Sequence, residues 1–419
     1  MNKLTRAAAA ALLACAVALP AATTATATTA PGPVPVPDPA PFSAAAAGPA
    51  ALTAATPDAP ADRIALRLPA PTGPYGVGSS VLHLVDRSRT DPWVPEADGR
   101  ELMVTLHYPA ARPAAARPAP GRAAPYSTRE EARLLLKAIQ VDDPASVGRL
   151  ARIPAYSAVD VRPAPGRHPL VVLSPGFGMP RFTLTALAVD LASRGYVVAS
   201  LDHAYESSGT SVPGGPALTC VACTVMEESG WSKGALVTGT RAADTRFVLD
   251  RLTGPRAAWR FASSIDRTRI GMAGHSVGGA SAFAAMAADG RVDAGVNMDG
   301  SFWDAPPSDG LGGRPFLLLG TDAYHRPGGE DASWDTTWAA LGGERRWLTA
   351  DGAEHLDFSD APVLLGHFGI PGGALPAERA IALTRTYVAA FFDEHLRGED
   401  QPLLDGPDPA YPEMRFHRP

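Results

Sequence analysis

The chain of 419 residues has only three cysteines, Cys15, Cys220 and Cys223. So few thiols exclude a small disulfide-stapled scaffold, and no further ligands stand at metal-binding spacing around Cys220-x-x-Cys223. Charge of one sign is also scarce: 37 basic against 43 acidic residues leave a formal net charge of −6. That balance supplies no electrostatic drive toward nucleic acid and no strongly basic face for a membrane. Long apolar runs are missing after the first 20 residues. The one early run, Ala7 to Leu19, is ended by Pro20 and is too short to span a bilayer.

That run follows Lys3 and Arg6, the order of a secretory signal peptide, and small residues at Ala25-Thr26-Ala27 suit cleavage. Residues 1–28 are therefore read as a signal peptide, and the mature protein is expected outside the cell. Leu12-Leu13-Ala14-Cys15 also resembles a bacterial lipoprotein box, so lipid attachment at Cys15 is the alternative. Residues 29–65 are Ala, Thr and Pro with almost no charge and form a linker. A catalytic domain over 66–400 and a tail over 401–419 complete the division. In an exported protein a local disulfide between Cys220 and Cys223 is expected rather than a redox pair.

Within the domain, short apolar strands alternate with amphipathic helices. Met103 to Tyr108, Leu170 to Leu173, Tyr196 to Leu201, Arg269 to Ala273, Ala294 to Met298 and Pro315 to Leu319 read as strands. Thr183 to Arg194, Arg241 to Leu252, Val277 to Ala288 and a last helix from Pro376 to near Gly398 lie between and after them. Pro113 to Pro125 reads as a loop. Tyr205 to Gly239, rich in Gly, Ser, Thr and Pro, reads as a loop or a small cap. The alternation predicts an α/β fold, a mostly parallel doubly wound sheet with helices on both faces.

Gly274-His275-Ser276-Val277-Gly278 matches G-x-S-x-G between a strand and a helix, the context a nucleophilic serine needs. Glycines permit the sharp turn, and the helix N-terminus lies beside the developing negative charge. A base and an acid should follow in the order Ser, Asp, His. His355, in the loop Asp351-Gly352-Ala353-Glu354-His355 before the last helix, is the expected base, with His325 as runner-up. Asp299 and Asp322 each follow a strand, and the pattern alone leaves the acid open between them. The backbone N–H of Val277 supplies one oxyanion donor, and Phe177 in Ser174-Pro175-Gly176-Phe177-Gly178 supplies the other.

These residues resemble the platelet-activating factor acetylhydrolases of the plasma and intracellular type II family, in a bacterial-looking version. The resemblance rests on Gly73 to Gly78, Leu106-His107-Tyr108-Pro109, Pro169 to Gly178, Asp190 to Ala199 and Gly274 to Gly279. It implies the α/β-hydrolase fold and covers residues of about 70 to 400. The family's acid lies shortly after the elbow, and the spacings around Asp299 look like the family's, so the resemblance favours Asp299. Cutinase-like polyesterases and triacylglycerol lipases, similar near the elbow, take their acid from the later strand, here Asp322. One departure is Pro175, where the family usually carries a histidine.

The implied activity is hydrolysis of short-acyl esters, of a phospholipid in the acetylhydrolase reading, with no metal and no organic cofactor. Sparse apolar anchors in the 205–239 segment argue against a long-chain groove. A lipase or cutinase-like polyesterase on the same fold, and a non-catalytic binding protein, are the alternatives.

Overall fold

Leu170, Val171, Val172 and Leu173 are all fully buried, yet they belong to two cores: Val171 and Leu173 pack on one side of the sheet, Leu170 and Val172 on the other. Alternate side chains of a strand point to opposite faces, so a strand without polar residues must be covered twice. The computed structural model describes residues 66–113, 122–370 and 372–419. The expected signal peptide, Cys15 and the linker lie outside the described residues.

Eleven strands form one sheet: β1 (Tyr75–Asp86), β2 (Arg100–Pro113), β3 (Ala123–Pro125), β4 (Pro154–Val159), β5 (His168–Ser174), β6 (Val197–His203), β7 (Ile265–His275), β8 (Ala294–Met298), β9 (Phe316–Thr321), β10 (Arg345–Ala350) and β11 (Met414–His417). Their order is β11-β10-β9-β8-β7-β5-β6-β2-β1-β4-β3. The centre, from β10 through β6, is parallel, and β2 and β11 flank it antiparallel.

One face is covered by the helices Thr185–Ser193 and Ala377–Arg397, where Leu187, Leu191, Tyr387 and Phe391 meet Val198, Val296 and Leu319. The other is covered by Gly234–Thr253 and Val277–Ala288, with Leu249 and Phe283 against Met272 and Leu318. Full burial of each such side chain contributes about 1.5–3 kcal/mol, so both layers are needed to hold the central strands. Among the described residues no helix is long and apolar enough to cross a membrane.

β1, β4, β10 and the helices Arg129–Ala138, Pro144–Ala151, Ala332–Ala340 and Ala361–His367 are absent from the sequence reading, and three further stretches depart from what was expected of them. The end of the Pro113–Pro125 loop forms β3, which pairs with β4. The segment 205–239 is partly helical, with Val221–Ser229, a single 3-10 turn at Gly230–Lys233 and the first turns of Gly234–Thr253. Residues 401–419, set apart above as a tail, supply β11 along the edge of β10, and Met414 is buried there. Four-residue strands carry too little periodicity to be read alone and form by pairing with an edge that already exists.

Candidate active site

The last strand residue of β7 is His275, and Ser276 follows with φ 56° and ψ −131°. That left-handed value is costly for a serine and persists only where its surroundings impose it. Here Ser276 N–H donates to the Met298 carbonyl at 2.8 Å. The glycines are required by proximity: a Cβ on Gly274 would stand 2.1 Å from the Gly278 carbonyl oxygen, and one on Gly278 2.1 Å from that of Ser174. Ser276 remains partly exposed while His275 and Val277 are buried. The helix Val277–Ala288 starts directly at the serine, so its first N–H groups, free of intrahelical partners, face the same place.

Asp299 follows β8, also with a positive φ of 60°. Its Oδ2 accepts from His355 Nδ1 at 2.7 Å. Its Oδ1 accepts from Thr321 N–H at 2.7 Å and from His325 Nδ1 at 2.6 Å. Burial alone would raise the Asp299 pKa, but His325 and His355 hold it well below the ordinary carboxylate range. His355 opens a 3-10 turn, His355–Phe358, behind a capping box in which Glu354 and Asp357 satisfy each other's N–H groups. With Nδ1–H given to Asp299, Nε2 of His355 is the nitrogen that can accept a proton.

His325, the runner-up base, is 2 % exposed and has both ring nitrogens committed, Nδ1 to Asp299 and Nε2 to Asp331 Oδ2 at 3.1 Å. It has no nitrogen left to take a proton from a serine. Asp322, the other acid considered, opens the helix Asp322–His325 and accepts from Thr349 Oγ1 at 2.5 Å, with His417 Nε2 at 3.8 Å. It points at β10 and β11, away from His355.

Phe177 lies in the loop after β5. Its N–H makes no hydrogen bond among the described residues, while the neighbouring Gly178 N–H donates to the Glu206 carbonyl at 2.9 Å. The loop is held from below by charges that the sequence pattern did not single out. Arg241 donates to the Pro175 carbonyl at 2.6 Å and to Glu206 at 2.7 Å. Arg100 bridges Glu206, Asp244 and Asp91, and His203 joins Asp244 to Ser174. All are buried. A buried ion network is tolerated only when each member is paired, and losing one partner costs about 3–5 kcal/mol.

His275 was also missed. Its Nε2–H donates to the His355 carbonyl at 2.7 Å, tying the elbow to the histidine loop. Burial pushes its pKa down to about 3, with the His355 charge adding to the effect, so it stays neutral. Cys220 and Cys223 are joined by a disulfide at the start of the cap helix Val221–Ser229. That helix packs Ala222 and Met226 against Val277, in a cluster with Phe177, Trp231 and Trp303. Trp231 stacks on Trp303 with ring centroids 5.0 Å apart and meets Phe177 edge-on at 5.2 Å. Among the described residues, metal-like spacing occurs at Glu344, Glu394 and His395, where Arg346 already donates to both carboxylates.

A parallel sheet bearing a serine on a strand-to-helix elbow is the α/β-hydrolase architecture, and the relatives make the protein a carboxylic-ester hydrolase. The family model for platelet-activating factor acetylhydrolase, isoform II, matches residues 65–213 and 253–401, and the chain belongs to that family. A probable 1-alkyl-2-acetylglycerophosphocholine esterase of Arthroderma benhamiae is 30% identical over 83% of this chain and 93% of its own. The platelet-activating factor acetylhydrolase of Canis lupus familiaris is 24% identical over 57% of this chain and 63% of its own. Among solved structures, a ferulic acid esterase from Streptomyces cinnamoneus superposes with a TM-score of 0.74 at 44% identity, covering 84% of this chain and all of that one.

Proposed function

We propose that the protein hydrolyses short-acyl esters through Ser276, His355 and Asp299. The observation that carries this is the 2.7 Å bond from His355 Nδ1 to Asp299, with Ser276 on the adjoining elbow. Ser276 Oγ attacks the ester carbonyl and passes its proton to His355 Nε2. The oxyanion is held by the N–H groups of Val277 and Phe177. The imidazolium then protonates the leaving alcohol. Water, deprotonated by His355, releases the acid from the acyl-enzyme and restores the serine. A 2-acetyl phospholipid is the first substrate to consider, because the curated relatives are acetylhydrolases of that kind.

A second reading is favoured by the aromatic shelf of Phe177, Trp231 and Trp303 beside the elbow, together with the ferulic acid esterase relative. Flat indole faces suit an aryl acyl group. Trp231 lies within 214–252, the segment between the two stretches that the family model matches.

The test has two arms. Ser276→Ala should remove fluorophosphonate labelling and lower turnover by on the order of 10⁶, since nucleophile and base act as a unit. A soluble variant that keeps a tenth of the activity ends the proposal. On p-nitrophenyl acetate, butyrate, octanoate and palmitate, kcat/KM should fall beyond about four to six carbons, where a short pocket stops returning about 0.8 kcal/mol per methylene. A maximum at octanoate or longer, or activation by an emulsion, makes it a lipase. Methyl ferulate outrunning the acetate ester, with the advantage lost in Trp231→Ala, selects the aryl reading.

We also propose that the protein is exported. The support is the charge and apolar order of residues 1–28.

A further inference from the structure

Asp299 carries two histidines, and the hydrolytic cycle uses only one. His325 lies on the far side of the carboxylate, between Asp299 Oδ1 at 2.6 Å and Asp331 Oδ2 at 3.1 Å. A carboxylate oxygen only accepts, so a ring bonded to one at each nitrogen carries hydrogen on both and is an imidazolium. The site is built around it. Trp334 stacks on the ring with centroids 4.2 Å apart, and Tyr324 meets it edge-on. Trp347 Nε1–H donates to the His325 carbonyl at 2.7 Å. Gly320 leaves the room: a Cβ there would stand 2.8 Å from His325 Cβ and 3.1 Å from Asp299 Oδ1. Asp331 is fixed in turn as the N-cap of the helix Ala332–Ala340, accepting from Ser333 N–H at 3.0 Å.

Resting on the Ser276-His355-Asp299 reading, we propose that His325 is a positioning residue: a permanent imidazolium clamped between Asp299 and Asp331, which aims the Asp299 carboxylate at His355 and offsets part of its charge. The groups facing it are Asp299 after β8, Asp331 at the helix start, Tyr324 beside it, and His355 and Asp357 across Asp299. Burial would lower the His325 pKa, but the two carboxylates raise it to about 9, so the charge persists through neutral pH. The device has a consequence for turnover. An unbalanced Asp299 would bind the proton on His355 more tightly, keeping the base protonated to higher pH.

In His325→Gln the amide can still donate to Asp299 but brings no charge. The acid limb of kcat/KM should move up by about two pH units, the scale expected when a unit charge across one carboxylate is lost at an effective dielectric near 20. The plateau kcat should fall about tenfold with KM unchanged, because the effect lies on the base and not on substrate contacts. An unmoved acid limb in folded His325→Gln overturns the proposal. If that variant does not fold, imidazole ¹⁵N spectra of the wild-type protein decide: His325 should show two protonated nitrogens at pH 7 to 8, and a neutral ring there overturns it. The spectra read His325 whether or not Ser276→Ala is inactive, so failure of the clamp and failure of the triad are told apart.

Discussion

At the scale of single residues, two polar residues after parallel strands compete to orient one imidazole, and geometry separates them. Asp299 leaves β8 with φ 60°, which turns its carboxylate back over the sheet toward His355. Asp322 begins a helix instead and spends its oxygen on Thr349. Asp299→Asn should therefore cut kcat by about 10⁴, the usual cost of an imidazole held in the wrong tautomer. Asp322→Asn should stay within about tenfold of wild type, since it loses one hydrogen bond at the β10 edge, worth about 1 kcal/mol. Steady-state rates of the two purified variants check this, and the reverse ranking would place the acid on the later strand. The strand-to-helix elbow that carries Ser276 was legible in the sequence because a strand, a glycine-framed turn and a helix have a pattern of their own. The residue pattern alone left the acid open between Asp299 and Asp322, because both follow apolar strands, and the family resemblance favoured Asp299. The clamp on His325 was invisible for a related reason: its two partners, Asp299 and Asp331, lie on opposite sides of it along the chain.

At the scale of elements, Asp360 shows how a loop residue caps a distant helix. It precedes the short helix Ala361–His367, but its carboxylate accepts from Ala186 N–H at the start of Thr185–Ser193, and from Tyr126 Oη at 3.0 Å. A helix N-terminus favours the anion. Burial outweighs that help and pushes the Asp360 pKa up to about 7. The folded protein thus prefers the protonated acid. Its stabilisation is complete below the ordinary carboxylate value, declines as pH rises, and is gone once pH passes about 7. Thermal stability should fall between pH 5 and 8, by on the order of 2–4 kcal/mol from this group at about 1.4 kcal/mol per pKa step. Asp360→Asn, which keeps an acceptor for Ala186 and an amide for Tyr126, should flatten that decline. Melting curves of both proteins at pH 5 and pH 8 are the measurement, and parallel declines would contradict it. The central strands and the helices that cover them were readable from their periodicity, but β1, β3, β4, β10, β11 and the helices Arg129–Ala138 and Val221–Ser229 were not. β3 and β11 are too short to show a period, and those two strands and the helix Val221–Ser229 are each held by a partner remote in sequence.

At the scale of the whole molecule, the N-terminal order of charge, apolar run and small residues predicts a processed, exported chain. Intact mass of the secreted protein should place its N-terminus after the Ala-rich leader, and should show no alkylation of Cys220 or Cys223 before reduction, since the two are joined. Two alkylated thiols, or a diacylglyceryl mass on Cys15, would contradict that order of events. What the sequence by itself determined is the alternation of buried strands and helices, and with it a doubly covered parallel sheet whose elbow carries Ser276. Those features follow from local periodicity and local turn chemistry, which every stretch of about ten residues contains. What only the tertiary structure decided is which carboxylate reaches His355, which histidine stays buried behind it, and which buried charges hold the Phe177 loop. Each of those depends on the order of strands in the sheet. β7, β8 and β9 become neighbours only when their edges pair, and pairing between distant segments leaves no pattern in the residues of either one.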